Sequence, residues 1–155
     1  MKLFEDHEHQ LRAAYLKSTP RQRLEIALHR MRFPDSGPNR LIQVVSAVEG
    51  LARSLVVNAR VAKGETAEAA YASVRDATAT TLVRDALGRH NRPEAPDAFG
   101  AEAWETFEHA VKYRNLLIHE CTFLRQGYSD RLIGAASSVF GYLAAIADPG
   151  DASEG

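Results

Sequence analysis

NRLIQVVSAVEGLARSLVVNARVAK, residues 39–63, decides the fold. Val44, Val45, Val48, Leu51, Ala52 and Leu55 recur at helical spacing and define one wide apolar face. Pro38 starts this helix and Gly64 stops it. It is the most strongly apolar element of the chain and is expected at the centre. Glu49, at the edge of its apolar face, is the only acid in the 24 residues from Leu41 to Gly64.

The same punctuation organises the chain on both sides. A polar first helix is expected over about residues 2–17. Thr19-Pro20 reads as an N-cap and a helix-starting proline, opening a helix to Phe33 with Leu24, Ala27, Leu28 and Met31 at helical spacing. PDSGP (34–38) is a loop. Thr66 caps a helix expected to run to near Gly88, and residues 88–100 read as the longest loop. A long helix follows, stopping at or before Gly127. Ser129 is expected to cap the last helix, and residues 148–155 to form an unstructured tail. No segment alternates with the period of two that marks a strand. The predicted class is all-α: an up-and-down bundle of about five or six helices in one domain, residues 1–147.

Composition narrows the setting. A chain of 155 residues can bury a real core without cross-links, and its 45% hydrophobic and 25% charged residues are ordinary for a globular protein. The formal net charge of -1 gives no global pull toward polyanions, so any such partner needs a local patch. Of the 19 cations only four are Lys, which genomic base composition explains. The lone Cys121 excludes an intramolecular disulfide and points to a reducing compartment. MKLFEDHEHQ at the start lacks a secretory apolar region, and no apolar run reaches the roughly 18 residues of a membrane span. A cytoplasmic protein with no membrane partner is the expectation.

VKYRNLLIHECTF (111–123) carries the functional question. On a wheel of about 100° per residue, Trp104, Phe107, Val111 and Ile118 share a face that should pack inward. Arg114 falls inside the same sector. A buried guanidinium costs several kcal/mol unless it is paired, so a carboxylate is required, and Glu49 is predicted near Arg114 or His119. Asn115 and His119, four apart, share a different flank with Glu108 and Lys112. The structural reading makes Arg114–Glu49 an internal ion pair and His119 a cation favoured at a helix C-terminus. In the functional reading all three line a cleft, where a cation binds an anionic group, an amide positions it and an imidazole moves a proton.

Arg114-Asn115-x-x-x-His119 resembles the signature of HEPN domains, an arginine followed after four to six residues by histidine. The placement is similar too: a late helix with one helix after it, and an acid on an early core helix, here Glu49 in SAVEGLARSL. The resemblance spans roughly residues 20–147. It implies a metal-independent endoribonuclease without cofactor, of the toxin or host-defence kind. It further implies a homodimer in which two motifs meet across the two-fold axis. Two His119 side chains would divide the acid and base roles, Arg114 would hold the scissile phosphate, Asn115 would orient the imidazole or phosphate, and Glu49 would support. The products would be a 2′,3′-cyclic phosphate and a 5′-hydroxyl. Some members pair with a nucleotidyltransferase antitoxin that modifies a Tyr two residues after the His; here that position is Cys121, which counts against such a circuit. Other members are catalytically silent modules binding a protein or RNA.

Other residues rank lower. His7 and His9 with Asp6 and Glu8 do not share a helix face, so a metal site there is not expected. Arg21, Arg23, Arg30 and Arg32, with His29 and Arg40, form the densest basic cluster. It reads first as a solvated face and second as the place where RNA would gain affinity outside the cleft. Cys121 reads as a packed small side chain, and Tyr113 and Tyr128 as near-core aromatics.

Overall fold

The structure is a computed structural model that describes residues 1–33, 35–121 and 125–150. Eight helices and no strand occur among the described residues: α1 (Lys2–Lys17), α2 (Pro20–Met31), α3 (Gly37–Ala62), α4 (Ala67–Val74), α5 (Ala79–Arg89), α6 (Ala95–Phe99), α7 (Ala101–His119) and α8 (Gln126–Ala147). The all-helical bundle is as expected; the helix number is higher.

Helix α3 is the hub. It packs most extensively on α8 and α5, and also touches α2, α4 and α7. Val44, Val45, Val48, Leu51, Ala52 and Leu55 are all buried on it. Leu82, Val83, Ala86 and Leu87 of α5, Trp104, Phe107, Ala110 and Val111 of α7, and Leu132, Ala136, Val139 and Leu143 of α8 complete one core. By length and composition α3 is also apolar enough to cross a membrane (mean hydropathy 1.3 over 18 residues), contrary to the expectation that no such segment exists. Burial of 56% of that window inside the fold accounts for the same apolarity.

Two extra helices come from turn chemistry that the sequence reading passed over. Thr78 accepts from Thr81 N (3.2 Å) and starts α5 afresh, so the single helix expected from Thr66 to Gly88 is two. Within the expected loop 88–100, Ala95-Pro96 opens the one-turn α6. Gly100, at φ +87° and ψ 143°, turns the chain from α6 into α7, a conformation that costs a residue bearing Cβ. Phe99 then stacks on Trp104 with ring centroids 5.7 Å apart.

Other boundaries hold or shift for local reasons. Thr19 and Gln22 form a full capping box ahead of Pro20. Gly64, at φ +105°, lets Gly64 N and Glu65 N bond back to the Val61 and Arg60 carbonyls, closing α3. Helix α7 ends at His119, before Gly127 as expected, and Cys121 just beyond it takes a left-handed backbone (φ +48°). Ser129 does not cap α8: the helix begins at Gln126, and Ser129 lies buried in its first turn. Of the tail expected over 148–155, residues 151–155 lie outside those described, while Asp148 stands 3.9 Å from Arg21.

Candidate functional site

The site is built where α7 crosses α3. Phe107, Ala110, Val111 and Leu117 seat α7 in the core, and this register turns Arg114 inward, leaving it 7% exposed. The guanidinium meets Glu49: Nη1 donates to Glu49 Oε2 at 3.1 Å and to Ser46 Oγ at 3.3 Å, while Nε donates to Asn115 Oδ1 at 2.9 Å. Arginine carries five N–H donors, and among the described residues Nη2 of Arg114 makes no hydrogen bond. Glu49 accepts a second guanidinium, Arg53 Nη2 on Oε1 at 3.2 Å. Arg53 also reaches the Arg75 carbonyl at 3.4 Å.

Sequence reasoning paired Arg114 with Glu49 but missed Ser46 and Arg53. Their signal was available: positions 46, 49 and 53 fall on one face of a helix, at i, i+3 and i+7.

His119 points the other way from Arg114, and Asn115 sits between them with Oδ1 turned to Arg114. Asn115 and His119 are both exposed. His119 is the last residue of α7. It stands about 140° around the helix from Arg114, so the two side chains of one chain diverge. Asn115 alone links the two faces through its bond to Arg114 Nε. Going around the surface, Leu116 (39% exposed) and Ile118 (50%) flank this Asn–His pair. Ile118 therefore does not pack inward as its wheel position suggested, although Leu117 beside it is buried. Tyr113 and Tyr128 are also exposed, and Cys121 is an exposed thiol rather than a packed one.

The basic residues of α2 do not act as one patch. Arg21 is engaged at 3.9 Å by Glu25 and by Asp148. Arg40 binds the Met31 carbonyl (3.0 Å), closing the end of α2. Arg32 lies with Arg40 beside Leu28, Val44 and Phe140 on the other flank of α2. Arg23 and Arg30, two turns apart, instead edge a groove of about 110 Å³ between α2 and α3, walled by Ile26, Ala27, Met31, Ala47 and Leu51. Ser46, which also binds Arg114, lines the same groove, so these two arginines approach the Arg114–Glu49 pair from the side. Arg23 is itself held over the Tyr15 ring, 4.6 Å from its centroid.

Tyr15 closes that neighbourhood. Its hydroxyl donates to the Gly50 carbonyl (3.1 Å), and its ring meets Tyr71 edge-on at 5.7 Å. Burial pushes its phenol up to about 12, against the pull of Arg53 and Arg23 in the other direction. His7 and His9 lie exposed on α1, and no three His, Cys, Asp or Glu side chains gather around a metal-sized space among the described residues.

Compared with protein-family models, with curated proteins and with solved structures, the chain matches none.

Proposed function

We propose that the protein is a metal-independent endoribonuclease of the HEPN type, acting on RNA at a site completed by a second copy. What supports this reading is one arrangement: an exposed Asn115–His119 pair framed by the exposed apolar side chains of Leu116 and Ile118. Apolar residues around a polar pair suit a face that another copy covers, and one chain alone offers only one imidazole. Covering the two faces against each other would bring two His119 rings together.

The chemistry follows from that inventory. One His119 takes the 2′-hydroxyl proton, and O2′ attacks phosphorus. The bond to the 5′-oxygen breaks, and the second His119 protonates the leaving oxygen. By the HEPN resemblance Arg114 would meet the phosphorane charge through Nη2, which makes no hydrogen bond among the described residues. Since it diverges from His119 of its own chain, the imidazole that shares its phosphate would be the second copy's. Glu49 and Ser46 fix the guanidinium, and Asn115 couples it to the imidazole face. Arg23 and Arg30, edging the adjoining groove, would hold neighbouring phosphates. A toxin or defence role, an antitoxin partner and a cytoplasmic setting belong to the same proposal.

A second reading draws on the ion pair itself. Arg114 is buried and has Glu49, Ser46 and Asn115 as partners, which suits an inert helical module that binds a protein or RNA. Incubation of purified protein with a mixed RNA pool, chelator present, separates the two. The nuclease reading expects products ending in a 2′,3′-cyclic phosphate, lost in both His119→Ala and Arg114→Lys. No cleavage, cleavage that needs added divalent metal, or undiminished cleavage by His119→Ala overturns it.

A further inference from the structure

Between α7 and α8 lies a groove of about 240 Å³ that the His119 face does not use. Thr106, His109 and Tyr113 form its α7 wall, and Tyr128, Arg131 and the buried Leu132 its α8 wall. Helical register brings them together. Positions 106, 109 and 113 recur at i, i+3 and i+7, and positions 128, 131 and 132 at i, i+3 and i+4, so each set shares one helix face. Around α7, Leu116 stands between this groove and His119. Tyr113 and Tyr128 are 37% and 60% exposed. Among the described residues neither ring packs on another aromatic ring.

The lining selects a ligand by size and by charge. A cavity of about 150 Å³ holds one benzene, and drug-sized pockets begin near roughly 300 Å³, so the groove matches a single flat ring system. Two tyrosines would also suit a quaternary ammonium, but Arg131 sets a cation beside them and repels one. No carboxylate lines the groove. Glu102 and Asp130 line the next depression, which shares Thr106 and Arg131 with this one. Among the described residues neither acid forms an ion pair with Arg131. A ring that carries negative charge is therefore the complement. The lining also holds groups that donate and accept: two phenol hydroxyls and the His109 imidazole. The Thr106 hydroxyl already donates to the Glu102 carbonyl (2.8 Å), which leaves its oxygen to accept. A plain aromatic carboxylate leaves most of these unused, whereas a nucleobase carries donors and acceptors around its edge.

We infer that this groove is a nucleotide site, in which an unstacked base lies against Tyr113 and Tyr128 and Arg131 holds its phosphate. A duplex keeps its bases paired and stacked, so the ligand is a free nucleotide or one within a single strand. The inference does not rest on the nuclease reading, since a catalytically silent module would hold the same ligand.

Calorimetric titration of the full chain tests it. The probes are adenosine 5′-monophosphate, adenosine, and a short 2′-O-methyl oligoadenylate, single-stranded or annealed to its complement. Attack by a 2′-hydroxyl can cut none of these, so binding is read apart from cleavage. The monophosphate is expected to bind at millimolar concentration, and adenosine at least about fivefold more weakly. Tyr113→Ala and Tyr128→Ala each weaken the monophosphate at least about fivefold, and Arg131→Ala removes its advantage over adenosine. Tyr128→Trp, which keeps a stacking face, stays within about twofold of wild type, a result that lost folding could not produce. A single strand that binds more tightly than the monophosphate places the ligand in an RNA strand; binding of the monophosphate alone makes it a free nucleotide. No saturable binding of either overturns the inference. So does binding that both tyrosine-to-alanine variants retain, adenosine that equals the monophosphate, or a duplex that binds as tightly as the single strand and with the same dependence on Tyr128.

Discussion

Glu49 Oε2 lies 3.1 Å from Arg114 Nη1 across 65 positions of sequence, and this pair ties α7 to α3 at the edge of the core. Removing one member of such a pair leaves the other's charge desolvated. Glu49→Ala is expected to lower unfolding stability by about 3 kcal/mol, the low end for a buried pair because the carboxylate side chain keeps 24% of its surface. Glu49→Ala combined with Arg114→Met should recover most of the loss. Urea unfolding of the two single variants and the double variant checks both.

His119 should separate activity from folding. It is exposed and at a helix end, so His119→Ala is expected within about 0.5 kcal/mol of wild type by urea unfolding. Its effect on RNA cleavage should instead be the loss of a general acid–base group, roughly 10²–10⁴-fold. Equal loss of stability and activity would make His119 a structural residue.

The Tyr15 phenol gives the fold an alkaline limit. In the folded chain it is held up to about 12, whereas in the unfolded chain it ionises near 10.0. A raised acid favours folding only while neutral. Its contribution is therefore complete below pH 10 and lost as pH climbs toward 12. Denaturant midpoints measured across that interval should fall for wild type and fall less steeply for Tyr15→Phe. Absorbance titration should show one of the five tyrosines ionising late.

Gly100 needs its missing side chain for backbone reasons alone. Nothing lies within 4 Å of where a Cβ would stand, yet φ is +87°. Gly100→Ala is expected to cost about 1–3 kcal/mol through strain at the α6–α7 turn. The midpoint of thermal unfolding should drop by several degrees.

How legible this was in the sequence depended on the kind of signal. Long-range order in a helix survives in its period, so the core face of α3 and the inward turn of Arg114 could be read directly, and one acid in an apolar helix named the arginine's partner. Local stops were harder. Thr78 is one of several Thr and Ala residues in a row, and its capping role shows only when its side chain meets Thr81 N. Cys121 has no intrinsic preference for the left-handed backbone just beyond α7, so nothing marked the helix end at His119. Ile118 was misread for a related reason: a wheel assigns a face but does not say whether another element lies against it at that turn. The basic cluster of α2 misled similarly, since composition cannot tell that Arg40 closes a helix end while Arg30 edges a groove.

The dependence of α3 on α8 bears on synthesis. These helices make the largest contact in the fold, yet more than 60 residues separate the end of one from the start of the other. As the ribosome extends the chain, α3 emerges early with a broad greasy surface, and its main cover is made last. A chain arrested before Gln126 should accordingly be sticky and protease-sensitive, and a trigger-factor-like holdase should bind it around α3 until α8 arrives.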